Sequence, residues 1–241
     1  MSADHHVILW RMLLKRRQVL MRFAAIPAAA VAASLAIPHA AAADADKALL
    51  DAAIAAAPSA REVITVAAPS FSSTDVQVSA WALLQTGWTK VFGPVPGKVG
   101  EQGIGEGKDD VPRTPFGVFA LDQAFGRQEN PGTTLPYTKV TDQQWWDGNQ
   151  SSPTYDTMVT RATSPGPGSE NLYGAGPVYD YAVHFNNNPS HTPGKGGAMF
   201  LHVTDGKPTL GCVAISKEGM VTLLKWLAPA HNPVLVTGLA G

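Results

Sequence analysis

One thiol and a few imidazoles carry most of the chemistry legible in this chain. Cys212 is the single cysteine. Upstream of it runs Ala198-Met199-Phe200-Leu201-His202-Val203-Thr204, and around it Thr209-Leu210-Gly211-Cys212-Val213-Ala214-Ile215. In strand geometry side chains alternate between faces, so Met199, Leu201 and Val203 point one way and Phe200, His202 and Thr204 the other. On the second strand Val213 and Ile215 take the apolar side, leaving Cys212 and Ala214 opposite. An antiparallel hairpin turning at Asp205-Gly206-Lys207-Pro208 would set His202 directly across from Cys212, with Cβ atoms about 5 Å apart. A thiol of ordinary pKa is mostly protonated at neutral pH, and a neighbouring imidazole that takes its proton makes it a nucleophile. Gly211 lets a carbonyl approach closely. The N–H groups of Gly211 and Cys212 are candidates for an oxyanion hole, with Thr209 bonding within the loop or to substrate. His184, on a predicted strand with Asp180 and Ala182, either lines the same cleft or is a satisfied sheet histidine. No set of ligands has metal spacing, and a single cysteine excludes an internal disulfide framework and multi-cysteine clusters, so neither metal nor cofactor is expected.

These residues must be held by a fold. At 45% hydrophobic and 15% charged, the 241-residue chain can bury a core. Its 23 glycines and 19 prolines favour a turn-rich, mainly β domain over a helix bundle. A net charge of −1 gives no basic field for nucleic acid. Strand composition marks Val63–Val66, Val76–Leu84, Phe116–Leu121, Val178–Phe185, Ala198–Thr204, Cys212–Ile215 and Val234–Thr237. Glycine-rich 87–107 reads as hairpins and loops. One helix is predicted after the cysteine: Ser216 caps it, Met220, Leu223, Leu224 and Leu227 share a face, and Pro229 ends it. Residues 142–177, polar, aromatic and rich in Pro and Gly, read as a lid or cleft wall.

The front of the chain reads as an address. Residues 1–42 order a basic stretch (Arg11 to Arg22), an uncharged run Phe23–Ile37 and small residues near Ala40–Ala43, the pattern of an export signal. Arg16-Arg17 also suits a twin-arginine signal, so the general and folded-protein routes both stay open. The apolar run is short for a membrane span, which leaves the membrane as a partner only if the signal is not cleaved. Cleavage after Ala42 would leave 13 basic residues against 18 acidic ones, a net charge of −5. Residues 43–60 are expected to form a short Ala-rich helix or a frayed linker, and 61–241 the catalytic domain.

With these residues in order, the sequence resembles the L,D-transpeptidase catalytic domain (YkuD-type) of bacterial cell-wall enzymes. The resemblance rests on His202…Thr209-Leu210-Gly211-Cys212. Arg113-Thr114-Pro115-Phe116-Gly117-Val118-Phe119, Ala124-Phe125-Gly126, Trp145-Trp146-Asp147 with Tyr155, and Gly194-Lys195-Gly196-Gly197-Ala198 support it. It implies a β-sandwich or barrel with one packed helix, Cys212 as nucleophile and His202 as general base and then acid. It also implies peptidoglycan stem peptides as substrates and inhibition by carbapenem-type β-lactams. In that family the second imidazole nitrogen is usually held by a backbone carbonyl, though Asp205 or Asp180 remains a candidate partner. Leu210 and Ala214 stand where many members carry polar groups. Hydrolysis at the same site, and a wall-binding module without catalysis, stay open as alternatives. Papain-like enzymes place Cys before His, and sortases use a following Arg that is absent here.

Overall fold

A computed structural model describes residues 39–240. In chain order the strands are β1 Glu62–Ala68, β2 Asp75–Leu84, β3 Gly87–Lys98, β4 Ile104–Gly105, β5 Thr114–Pro115, β6 Gly117–Gly126, β7 Tyr137–Lys139, β8 Gln144–Trp146, β9 Met158–Thr160, β10 Glu170–Asn171, β11 Ala182–Asn186, β12 Phe200–Val203, β13 Val213–Ile215 and β14 Val234–Leu239. The helices are α1 His39–Ala56 and α2 Lys217–Trp226.

The main sheet runs β11-β12-β13-β3-β2-β1-β14-β6-β7, and β11 pairs with β6 as well as β12. That second pairing closes the strands from β11 to β6 into a ring, with the short β7 left as the one strand paired on a single side. Val66, Val78, Leu121, Val183, Phe185, Leu201, Val213, Ile215 and Leu235 fill the inside. The mainly β expectation therefore holds, with the sheet closed as a barrel.

Helix α2 follows the predicted pattern. The Ser216 hydroxyl accepts from the Gly219 N–H at 3.1 Å, a cap typically worth about 1 kcal/mol. Met220, Leu223, Leu224 and Leu227 enter the barrel core. Helix α1 lays Leu49, Leu50 and Ala53 on the outer face of β1 and β14, against Val63, Ala67, Val234 and Val236. Strand β1 is consequently buried on both faces, which is why its sequence, Glu62 and Thr65 apart, is apolar rather than alternating. The Ala-rich segment is thus a docked helix, not a frayed linker. Asp46 pins it: its carboxylate accepts from the hydroxyls of Thr65 and Ser79 and pairs with Lys90 at 2.6 Å. Of the proposed export signal, residues 1–38 lie outside the described residues.

Several strand limits differ from expectation. Within the stretch expected as hairpins and loops, residues 87–98 form one long strand hairpinned to β2. Gly176–Tyr179 is a 3₁₀ turn, so β11 begins only at Ala182 and Asp180 is not on it. Residues 142–177 carry a small three-stranded sheet, β10-β8-β9, standing against the outer face of β11 and β12.

Candidate active site

The predicted antiparallel hairpin around Lys207 is not what forms. β12 and β13 run parallel, with Leu201 opposite Val213 and His202 opposite Ala214. A parallel connection normally needs a dozen or more residues. Here residues 204–212 suffice because the returning chain pairs with the end of β3. The Thr209 N–H donates to the Val99 carbonyl at 2.9 Å, and the Glu101 N–H to the Thr209 carbonyl at 2.9 Å. Turns at Thr204–Gly206 and Asp205–Lys207 start the reversal.

Side-chain alternation survives the change of direction. Leu201, Val203, Val213 and Ile215 point into the barrel, while Phe200 and Cys212 join Phe125, Trp146, Leu172, Tyr179 and Ala182 on the outside. Extending the register sets Cys212 level with Phe200, whose N–H donates to its Sγ at 3.4 Å. His202 is then a diagonal neighbour of Cys212, with Cα atoms about 8 Å apart, a distance long side chains can bridge. Both line one cleft of about 990 Å³. Cys212 is 9% exposed and His202 7% exposed. No hydrogen bond joins them in the resting site among the described residues.

The backbone around the sulfur is tightly held. Gly211 has φ +144°, and a Cβ there would meet Met199 Cε at 3.0 Å, so only glycine fits. The Cys212 carbonyl accepts from Thr209 Oγ1 at 2.7 Å and from Thr114 Oγ1 at 3.1 Å, and Thr114 in turn accepts from the Gly100 N–H at 2.9 Å. This is the physical content of the Thr114-Pro115 stretch. The Gly211 N–H is already committed to Thr209 Oγ1 at 3.1 Å, which leaves the Cys212 N–H as the free donor of the predicted oxyanion pair. Thr209 thus serves the loop itself. Leu210, at 78% exposure, stands on the rim.

His202 Nδ1 meets the Val203 carbonyl at 2.9 Å, which puts the proton on Nδ1 and leaves Nε2 as the basic nitrogen. Neither aspartate holds the ring: Asp180 pairs with Lys217 at 2.7 Å, and Asp205 caps the following turn. Burial pushes the imidazole down, opposed by the Val203 carbonyl and Asp205. Burial likewise pushes the Cys212 thiol up to about 12, with Glu170 adding to the rise and Phe200 N–H and Tyr179 opposing it. Both shifts favour the neutral thiol and neutral imidazole over an ion pair.

His184 does not reach the cleft. It is buried, its Nδ1 lies 2.8 Å from Asp122 Oδ1, and its ring packs tilted against Trp146, centroids 4.6 Å apart, so that Trp146 and not His184 lines the cleft. Trp146 Nε1 donates to Asp156 Oδ1 at 2.8 Å, and the same oxygen accepts the Ala198 N–H at 2.9 Å. The Ala198 carbonyl faces the Cys212 S–H at 3.5 Å. A Cβ at Gly197 would fall 2.3 Å from Asp156 Oδ1, which explains a glycine before the His strand. Asp156, Tyr179 and Glu170 are the site residues that sequence reasoning missed. The quoted Trp146 and Tyr155 were the nearest signal to Asp156.

Residues 95–236 match the YkuD family model, described as the L,D-transpeptidase catalytic domain. The chain belongs to that family, whose members are cysteine-dependent transpeptidases acting on peptidoglycan peptides. No curated protein matches. Among solved structures, the helical cell shape determining protein Pgp2 from Campylobacter jejuni is similar at 13% identity and a TM-score of 0.36, over 74% of this chain and 47% of that one. This chain thus spans about half the length of that structure.

Proposed function

We propose that this protein is an exported peptidoglycan L,D-transpeptidase, with Cys212 as nucleophile and His202 as general base and acid. The observation that carries the reading is that the only thiol and an imidazole with a free Nε2 open onto one peptide-sized cleft, in a chain of this family. His202 Nε2 takes the thiol proton as Sγ attacks the carbonyl between the L-centre and the terminal D-residue of a donor stem. The Cys212 N–H, not used within the loop, donates to the developing oxyanion. The proton then passes from His202 to the departing D-residue amine, leaving a thioester on Cys212. An acceptor amine from a second stem attacks that thioester, gives its proton to His202, and the thiol is restored.

The order of charge and hydropathy in residues 1–42 supports export, whether by the general or the twin-arginine route. Among the described residues no helix is long and apolar enough to cross a membrane. The reading is tested by incubating the purified protein with a defined stem tetrapeptide and an amine-bearing second stem, and weighing the products. Transfer yields a cross-linked species lacking one terminal D-residue. A free tripeptide with released D-residue would identify a hydrolase, and unchanged peptides a binding module. A carbapenem should add its mass at Cys212 in the wild type and not in Cys212→Ala.

A further inference from the structure

The parallel ladder between β12 and β13 lacks one rung, and the sulfur stands where that rung would be. The Phe185 N–H donates to the Met199 carbonyl at 3.0 Å, so Met199 and Leu201 turn their backbone groups to β11. Phe200 and His202 turn theirs to β13, and the next step along, the Thr204 N–H meets the Ile215 carbonyl at 2.7 Å. One step back from the Leu201–Val213 pair, an unbroken ladder would give the Gly211 N–H to the Ala198 carbonyl. That N–H goes to Thr209 Oγ1 instead, at 3.1 Å. Cys212 Sγ fills the gap, receiving the Phe200 N–H at 3.4 Å and giving its S–H to the Ala198 carbonyl at 3.5 Å. A thiol is a weak donor, and among the described residues the Ala198 carbonyl receives no stronger one. Phe200 is fully buried, whereas Ala198 is half-buried and lines the cleft.

Asp156 aims this carbonyl. Ala198 has φ +55°, uncommon for a residue with a Cβ, and its N–H donates to Asp156 Oδ1 at 2.9 Å. The same oxygen is fixed by Trp146 Nε1 at 2.8 Å. We propose that the Ala198 carbonyl is a substrate-binding acceptor, which takes the backbone N–H of the donor residue whose carbonyl is attacked, with Asp156 as its positioning residue. The proposal rests on the transpeptidase reading of Cys212. An amide N–H is a stronger donor than a thiol and displaces the S–H from the carbonyl. The freed thiol proton passes to His202 Nε2, and the electron pair left on sulfur forms the bond to the carbonyl carbon. The Phe200 N–H, closed to solvent, stays on the sulfur and favours its charge as that charge develops. The Ala198 carbonyl thus holds the thiol proton in the resting site and yields it to an extended peptide.

The test is the rate at which two stem tetrapeptides acylate Cys212 in the full chain, followed by intact mass. One is the all-amide peptide. In the other an ester oxygen replaces the N–H of the residue bearing the attacked carbonyl, and the scissile amide is unchanged. The wild type should react about tenfold faster with the amide, because the ester leaves the Ala198 carbonyl unpaired. Asp156→Asn keeps the accepting oxygen and should keep that ratio to within about twofold. Asp156→Ala releases the Ala198 peptide and should bring the ratio toward one. Ala198→Val reaches the same end by another route, since a β-branched side chain resists the left-handed backbone, and it decides the matter should Asp156→Ala not fold. The ratio compares two substrates on one protein sample, so a merely structural loss of folded protein does not move it. Equal wild-type rates, or a ratio unchanged in Asp156→Ala and Ala198→Val, overturn the proposal and leave the transpeptidase reading standing. No adduct with either stem sinks that reading, and this inference with it.

Discussion

At the scale of single residues, burial favours the uncharged form of the proposed nucleophile. The sulfur is surrounded by Phe125, Trp146, Tyr179 and Phe200, and burial pushes its thiol up to about 12. The same burial lowers the His202 imidazole. A thiolate–imidazolium pair would have to pay desolvation twice in this pocket, whereas a neutral pair transfers its proton only as the carbonyl is attacked. The sign of the pH dependence follows. The thiolate fraction in the native protein should grow about tenfold per pH unit through pH 10, without levelling. Iodoacetamide alkylation of the native chain should show that climb, while the guanidinium-unfolded chain levels near pH 9. A native plateau between pH 5 and pH 8 would instead reveal an ion pair.

At the scale of elements, the arm carrying β8 and β9 fixes the sulfur's surroundings through one buried carboxylate. Asp156 Oδ1 receives both Trp146 Nε1 and the Ala198 N–H, and the Ala198 carbonyl faces the thiol. Asp156→Ala strands two buried donors and should cost about 2–4 kcal/mol, read as a lowered Tm. Asp156→Asn keeps the accepting oxygen. Burial raises the Asp156 carboxyl, against the pull of Trp146, Ala198, His184 and His191. A carboxyl raised in the folded state weakens folding as pH climbs above its unfolded value. The Asn variant should therefore match or exceed the wild-type Tm at pH 7 and lose that advantage near pH 4. An Asn variant as unstable as the Ala variant at pH 7 would contradict this account.

The same scale shows what the sequence could reveal. The shared face of His202 and Cys212 follows from a period of two, which holds in either strand direction, so it was legible. The direction was not: nine residues argue locally for a hairpin, and what reverses them is pairing of Thr209 with Val99 and Glu101, over a hundred positions earlier. Helix α2 was legible because Ser216, Met220, Leu223 and Leu224 encode cap and stripe locally. Asp156, Glu170 and Tyr179 come from a segment with no period. Only the closed fold brings them to the cleft.

At the scale of the whole molecule, ring closure by β11 on β6 makes the outer face of β12 and β13 a rigid platform, with α1 braced on the far strands and α2 in the core. A rigid platform suits a reaction that depends on placing one carbonyl within attacking distance of one sulfur. That is the account's central claim, and the intact mass of the protein after rapid mixing with a stem tetrapeptide tests it most directly. The account predicts a transient adduct equal to the peptide less its terminal D-residue, mapped to Cys212. It should be absent from Cys212→Ala and formed about a hundredfold or more slowly in His202→Ala. An adduct that persists in Cys212→Ala, or forms at the wild-type rate in His202→Ala, would contradict it.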